Sequence, residues 1–264
     1  MRTQQTVCAY LLSTVICFGQ CASARTQSDE DASSCSDSVV KQVGKHFGLT
    51  TLSDPASATY PRVAHGERLV AGVCELWPTN NSRTIAAFAY DVGTEYEKVL
   101  FLAVVEGPTN RVIAAYKGVI QEDAPTEVSS YSLKLDTARY TLSKTTRAFG
   151  LRLSTFHDRC TFEGGFDDYL TLFVVDGQTI RPVLTETMSH WSYGSGNRCG
   201  GEDVPRTDAN IVISVEPTIS NGFADLRLTA KRSDKKNPLS AIVRYDGERY
   251  DLKPWSAAFN AWWY

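Results

Sequence analysis

Tyr169-Leu170-Thr171-Leu172-Phe173-Val174-Val175, then Asp176-Gly177, then Gln178-Thr179-Ile180-Arg181-Pro182-Val183-Leu184 reads as strand, two-residue turn, strand. Asp-Gly between two β-rich runs marks a hairpin, because the tight turn needs positive φ at both central residues. The first arm is apolar at nearly every position, which predicts burial on both of its faces. Cysteines flank the hairpin at Cys160 and Cys199.

Those cysteines belong to a set of seven, and three of them, Cys8, Cys17 and Cys21, fall in the opening segment. There Arg2 supplies a short positive region, Val7 to Phe18 is apolar, and Ala22-Ser23-Ala24 fits a small-x-small cleavage site. Residues 1–24 are therefore expected to be a signal peptide cleaved after Ala24, and the protein periplasmic or secreted. Cys17 and Cys21 follow Ile16 and Gln20, not the small residue expected before a lipidated cysteine. No later stretch is long and apolar enough for a membrane helix. The remaining four, Cys35, Cys74, Cys160 and Cys199, are an even number in an exported chain and read as two disulfides. Three pairings are open. The sequential one, Cys35–Cys74 with Cys160–Cys199, closes the shorter loops and is favoured. The four form no close C-x-x-C pair, which argues against a zinc site.

The formal net charge is −3, and loss of Arg2 with the leader makes it −4. This excludes neither a protein nor a small-molecule partner, but it weighs against nucleic acid and anionic membrane surfaces.

Residues 25–36 are polar, acidic and serine-rich, and are expected to form a flexible leader. Ser36 or Asp37 can cap a helix running to about Phe47. Val39, Val43 and Phe47 make its apolar stripe, and Gly48 ends it. His46 reads as a surface residue. This is the only helix expected. After a polar connection from Leu49 to Arg68 the pattern is β throughout. Leu69 to Trp77 alternates and is punctuated by Pro78-Thr79-Asn80-Asn81, and Thr84 to Asp91, Lys98 to Val105 and Arg111 to Val119 form a meander. An acidic loop at 121–130 is a possible point of subdivision. Tyr131, Leu133 and Leu135 alternate onto one buried face. Tyr140 to Leu142 and Arg147 to Ser154 precede the hairpin. A long loop from Ser189 to Asp208 follows it. Asn210 to Val215, Gly222 to Ala230 and Ser240 to Tyr245 are strands, and Glu248 to Leu252 is an arm returning through Asp246-Gly247. The expected fold is all-β: an antiparallel meander, sandwich or incomplete propeller with one short N-terminal helix, stapled by disulfides, in a single domain over 37–264.

Gly165-Phe166-Asp167-Asp168-Tyr169-Leu170 is echoed by Gly222-Phe223-Ala224-Asp225-Leu226, and the Asp176-Gly177 hairpin by the one at Asp246-Gly247. Over roughly the last hundred residues this order resembles exported bacterial β-repeat proteins, including FG-GAP-like propeller blades. The resemblance implies blade-like antiparallel sheets. The Asp-rich calcium loop of those repeats is missing, so calcium binding is not implied.

Catalytic patterns are few. His46, His65, His157 and His190 form no metal-ligand spacing with each other or with Cys, Asp or Glu. Gly194-Ser195-Gly196 lacks the strand-turn-helix setting of a nucleophile elbow. Asp167 and Asp168, being adjacent, would point to opposite faces of a strand, and are read as part of a turn. No catalytic residue, metal or cofactor is named. The strongest polar stretch is Ser189 to Gly201, long, glycine-rich and pinned at Cys199. His190, Trp191, Tyr193 and Arg198 are its candidate binding residues, because Trp, Tyr and Arg are enriched at binding hot spots. The alternative is that Trp191 and Tyr193 fold back as core. Trp262-Trp263-Tyr264 reads as a final segment docking on the domain in preference to an aromatic platform.

The function expected is that of an exported, non-enzymatic binding protein with a protein partner, of the inhibitor or immunity type that acts on a secreted enzyme. The alternative is a carbohydrate-binding module or hydrolase with an aromatic loop site, so a glycan or small-molecule ligand stays open.

Overall fold

The computed structural model describes residues 35–49, 68–94 and 96–264. The expected signal peptide, nearly all of the leader and the body of the Leu49–Arg68 connection lie outside the described residues. Helix α1 spans Asp37–Phe47, and strands follow as β1 (Arg68–Trp77), β2 (Asn80–Asp91), β3 (Glu97–Glu106), β4 (Arg111–Gln121), β5 (Leu133–Asp136) and β6 (Phe149–Leu153). The central hairpin is β7 (Gly164–Asp176) and β8 (Thr179–Tyr193). Then come β9 (Arg206–Ser220), β10 (Phe223–Arg232), β11 (Leu239–Val243) and helix α2 (Lys253–Trp263). The all-β reading holds, and both disulfides form in the sequential pairing, Cys35–Cys74 and Cys160–Cys199.

All eleven strands belong to one sheet that branches at β8. One edge of β8 is paired along its length to β7. Its other edge meets β4 at one parallel position, Ala115 with Thr179, and β9 from Ser189 to Tyr193. One arm runs β4-β3-β2-β1 and the other β9-β10-β11, while β7 continues to β6 and β5. A single continuous sheet differs from the separate blades that the propeller resemblance implies.

The hairpin is what joins the arms. The hairpin forms, but its turn lies one residue later than expected: Asp176 pairs with Thr179, so Gly177 and Gln178 are the central residues, and only Gly177, at φ 61°, has positive φ. On β7, Leu170, Leu172 and Val174 point into a core completed by β9–β11 and α2, with Leu226, Leu228, Tyr250 and Trp255. Phe173, one residue out of step, points the other way into a core filled by β1–β6, stacking on Phe149 at 5.8 Å. Leu172 is 0 % exposed and Phe173 1 %, so both faces are buried as the unbroken apolar run predicts. A bulge separates Leu172 from Phe173, opposite Pro182. Proline has no N–H for the ladder, and a bulge is where a strand can accept one.

A third apolar cluster lies on the outer side of β1–β3. There Val39, Val40 and Val43 of α1 cover Phe88, Tyr90 and Phe101. Cys35–Cys74 ties the helix start to β1. Gly48, at φ 72°, ends the helix, and the N–H groups of Gly48 and Leu49 close the carbonyls of Lys45 and Gly44. Inside the β-layer, Lys98 is buried with its Nζ 2.7 Å from Glu122 and 3.5 Å from Asp91. Glu122 and Asp91 also accept the Val128 and Gly93 N–H groups, so the enclosed charges are hydrogen-bonded as burial demands.

Several expectations are corrected. The chain has a second helix: Trp255 and Phe259 of α2 are buried on the sheet. The final segment thus docks as expected, but as a helix. The arm Glu248 to Leu252 reduces to one bridge, Tyr245 with Tyr250, because Asp246 accepts the Glu248 and Arg249 N–H groups and turns the chain there. Tyr131 is 85 % exposed. It precedes β5, in a turn closed by Ser132 N–H to Ser129 O, so the alternation begins only at Leu133. Asp167 and Asp168 lie within β7, not in a turn. Asp168, between the paired Asp167 and Tyr169, departs locally from extended backbone at φ 57°.

Because Leu172 belongs to the wall shared by two cores, Leu172→Ala should cost about 2–5 kcal/mol. Urea unfolding should show this as a lower midpoint, while exposed Tyr131→Ala should leave the midpoint within about 0.5 kcal/mol of the parent.

Candidate functional site

The stretch expected to be one long loop is two strand ends and a shorter loop. β8 runs on to Tyr193 and β9 starts at Arg206, which leaves Gly194–Pro205 as the connection. The extension follows from pairing: Ser189 to Tyr193 bond to β9 on one side while Ser189 to Ser192 bond to β7 on the other. The four candidate residues therefore do not form one patch. Alternation along β8 sends Trp191 and Tyr193 to one face and His190 to the other.

Trp191 is 6 % exposed and packs edge-on against Phe156, ring centroids 4.7 Å apart. Gly165 lies opposite it in the β7 register. A Cβ at Gly165 would come within 2.6 Å of the Trp191 ring and 3.0 Å of Phe156, so the glycine makes room for the indole. Trp191 is thus a wall behind the loop, the reading in which it folds back as core.

Tyr193 and Arg198 do come together. The Arg198 guanidinium lies 3.5 Å from the centre of the Tyr193 ring. It donates to the carbonyls of Phe162 at 2.7 Å and Arg159 at 3.2 Å, and to Asp158 Oδ2 at 2.9 Å. The Tyr193 hydroxyl donates to the same Asp158 oxygen at 2.6 Å. Burial is the largest single influence on Asp158 and raises its pKa, but the bonds from Tyr193 and Arg198 together with the charges of Arg198 and Arg206 outweigh it and hold the carboxyl below its ordinary value. Arg206 lies 5.2 Å from the Trp191 ring and is paired with Asp208 at 2.8 Å. Arg198 is consequently a bracket joining two segments, with its donors spent inside the protein.

The same two segments are linked covalently by Cys160–Cys199. Within the loop, Glu202 accepts the Asn197 N–H at 2.6 Å and Asn197 accepts the Gly200 N–H at 2.9 Å. A cavity of about 520 Å³ opens here, walled by Thr161–Glu163 and Tyr193–Arg198. Ser195 and Gly196 at its rim are exposed. A wider cavity of about 980 Å³ lies along Pro182–Thr185 and Glu248–Lys253. It occupies the gap where β8, between Thr179 and Ser189, meets no strand on its outer edge among the described residues.

His190 faces α2. Its ring lies 4.6 Å from Phe259 and 6.0 Å from Trp263, and its Nε2 is 2.7 Å from the Thr187 hydroxyl. Thr187 also bonds Glu186, which accepts from the Trp255 side chain. Burial among these rings pushes the His190 pKa down to about 4.

Asp158, Phe156, Gly165 and Arg206 were not singled out from sequence. Counting outward from the Asp176–Thr179 pair would set Gly165 against His190, and only the bulge at Leu172/Phe173 moves it to Trp191, so no local signal marks this glycine. Asp167 and Asp168 hold different partners, Asp167 the N–H groups of Thr155 and Phe156 and Asp168 the Arg152 guanidinium. No group of three or more His, Cys, Asp or Glu side chains among the described residues could hold a metal ion. No described helix is long and apolar enough to cross a membrane.

Comparison of the chain with protein-family models, with curated proteins and with solved structures finds no match.

Trp191→Ala should destabilise the protein by about 3–5 kcal/mol, read from chemical unfolding, since it empties a packed site. His190 yields a pH dependence. The unfolded chain binds its proton at the ordinary pKa of 6.5 and the folded one only near 4. Its contribution is therefore complete above pH 6.5 and is lost as pH falls from 6.5 to about 4. In thermal scans over that range, His190→Gln should flatten the decline.

Proposed function

We propose that the protein is an exported, non-enzymatic binding protein whose partner is another protein, of the inhibitor or immunity type directed at a secreted enzyme. The observation that carries this reading is the construction of the Gly194–Pro205 loop. It is exposed at its tip, yet its base is held by Cys160–Cys199, by the three-way bracket of Arg198, and by Glu202 and Asn197. A loop ordered before contact loses little conformational freedom on binding, which favours affinity. Disulfides of this kind accord with an oxidising compartment, and with the signal-like opening of the sequence they support export.

In this reading the contact surface is the outer side of the loop, Gly194 to Gly201, backed by Tyr193 and Arg198. Trp191 shapes it from beneath, and His190 serves the α2 side. A sugar-binding platform is less favoured by the geometry. Aromatic platforms use an open ring face, whereas Arg198 covers Tyr193 at 3.5 Å and Arg206 stands 5.7 Å away.

The test is affinity capture from periplasmic or secreted extract with the mature protein as bait, run in parallel with Ser195→Arg. Ser195 is exposed at the loop tip, so the variant should melt at the parent temperature. The expected result is one stoichiometric protein partner retained by the parent and reduced at least tenfold by Ser195→Arg. Retention of glycan without a protein, or a partner held equally by both baits, would overturn the reading.

A further inference from the structure

A second recessed surface lies on another part of the molecule and is independent of the loop. It is a cleft of about 460 Å³ between the C-terminal half of α1 and the start of β4, lined by Gln42, Lys45, His46, Thr109, Arg111 and Val112. Its lining contains two full cations, an imidazole, a hydroxyl and an amide, and no carboxylate. This stands out in a chain of formal charge −3.

Both walls are fixed. α1 is anchored by Cys35–Cys74 and by Val39, Val40 and Val43, and Phe47 packs on Phe101 with centroids 4.5 Å apart. The β3–β4 turn is tied to the helix by Asn110 Nδ2 donating to Ser38 Oγ at 2.7 Å. The cationic groups are largely uncommitted. Lys45, His46 and Gln42 have no polar side-chain partner among the described residues. The Arg111 side chain is 70 % exposed and among the described residues meets Glu106 Oε2 alone, at 3.4 Å, while the other oxygen of Glu106 is held by Arg83 at 2.7 Å. Of the helix-end carbonyls, those of Gly44 and Lys45 are closed by the Leu49 and Gly48 N–H groups, and the cations must outweigh the negative end of the helix dipole.

We infer that this cleft binds a small ligand through a phosphate or sulfate monoester group. The guanidinium of Arg111 offers a planar fork and Lys45 a point charge. Thr109 and Gln42 add neutral donors from the two opposing walls. A tetrahedral oxyanion has enough acceptor positions to use donors arriving from both sides, and because every polar residue of the lining is exposed it would sit in a shallow, solvent-open recess.

Inorganic phosphate and inorganic sulfate, titrated separately at constant ionic strength and followed by backbone amide NMR, test this. Saturable shifts should gather at Gln42–His46 and Thr109–Val112. Lys45→Ala and Arg111→Ala should each weaken binding about tenfold, the loss of one charge-assisted contact. Arg139→Ala, an exposed cation elsewhere, should leave it unchanged. Preference for phosphate over sulfate, or the reverse, identifies the class of ester. Shifts that spread over all surface cations without saturating, or equal weakening by Arg139→Ala, would overturn the inference. So would binding to phosphatidylglycerol vesicles with no response to either soluble anion, which would mark a membrane surface instead.

Discussion

Removing both faces of one hairpin from water is the constraint on which the rest of this fold depends. An apolar strand with one face buried needs a single covering layer. β7, with Leu170, Leu172 and Val174 on one side and Phe173 on the other, needs two. The β1–β6 layer supplies one cover, and β9–β11 with α2 supplies the other. Neither core is complete without the hairpin, so loss of either cover exposes large apolar side chains, each worth about 1.5–3 kcal/mol when buried. Two cores sharing a wall in this way are expected to lose their order together rather than in sequence.

The same strand that joins the cores also sorts the candidate site. Tertiary burial turns a run of residues that looks like one polar patch into two unrelated environments, because neighbours on a strand face opposite sides. His190 becomes part of an aromatic seat for α2. Trp191 becomes packing. Tyr193 and Arg198 remain near the surface, and their polar groups are turned inward to hold Asp158 and two carbonyls. Residue types associated with recognition here do architectural work, and the surface they support is made of smaller residues at the loop tip.

Much of the fold was legible because its signals are local. The Asp-Gly hairpin signal and the Val39, Val43, Phe47 stripe each rest on nearby residues, and the cysteine pairing, at a separation of 39 residues in each case, on the shorter loops it closes. The misses arose where distant partners decide. α2 carries the same kind of stripe at Trp255, Phe259 and Trp263, and Pro254 suits the first turn of a helix. The aromatic content marks a segment that docks, while only its four-residue spacing marks a helix. The extension of β8 to Tyr193 depends on β9, and no local residue announces that pairing. The site was legible only in part for the same reason. The disulfide placed the loop, while the burial of Trp191 depends on Phe156 and Gly165, and the role of Arg198 on Asp158.

The two disulfides differ in their access to solvent. Cys74 is buried under α1 and Cys35 half-buried, whereas Cys160 and Cys199 are both exposed. Thiol–disulfide exchange requires an attacking thiolate to reach a sulfur atom. A reductant in the surroundings therefore reaches the outer bond first. Cutting it removes the covalent tie at the base of the Gly194–Pro205 loop and leaves that base to the Arg198, Glu202 and Asn197 hydrogen bonds, while the bond beneath α1 and the apolar layers stay in place. The shape of the loop and the survival of the fold thus answer to different chemistries: one to the redox state of the medium, the other to water alone.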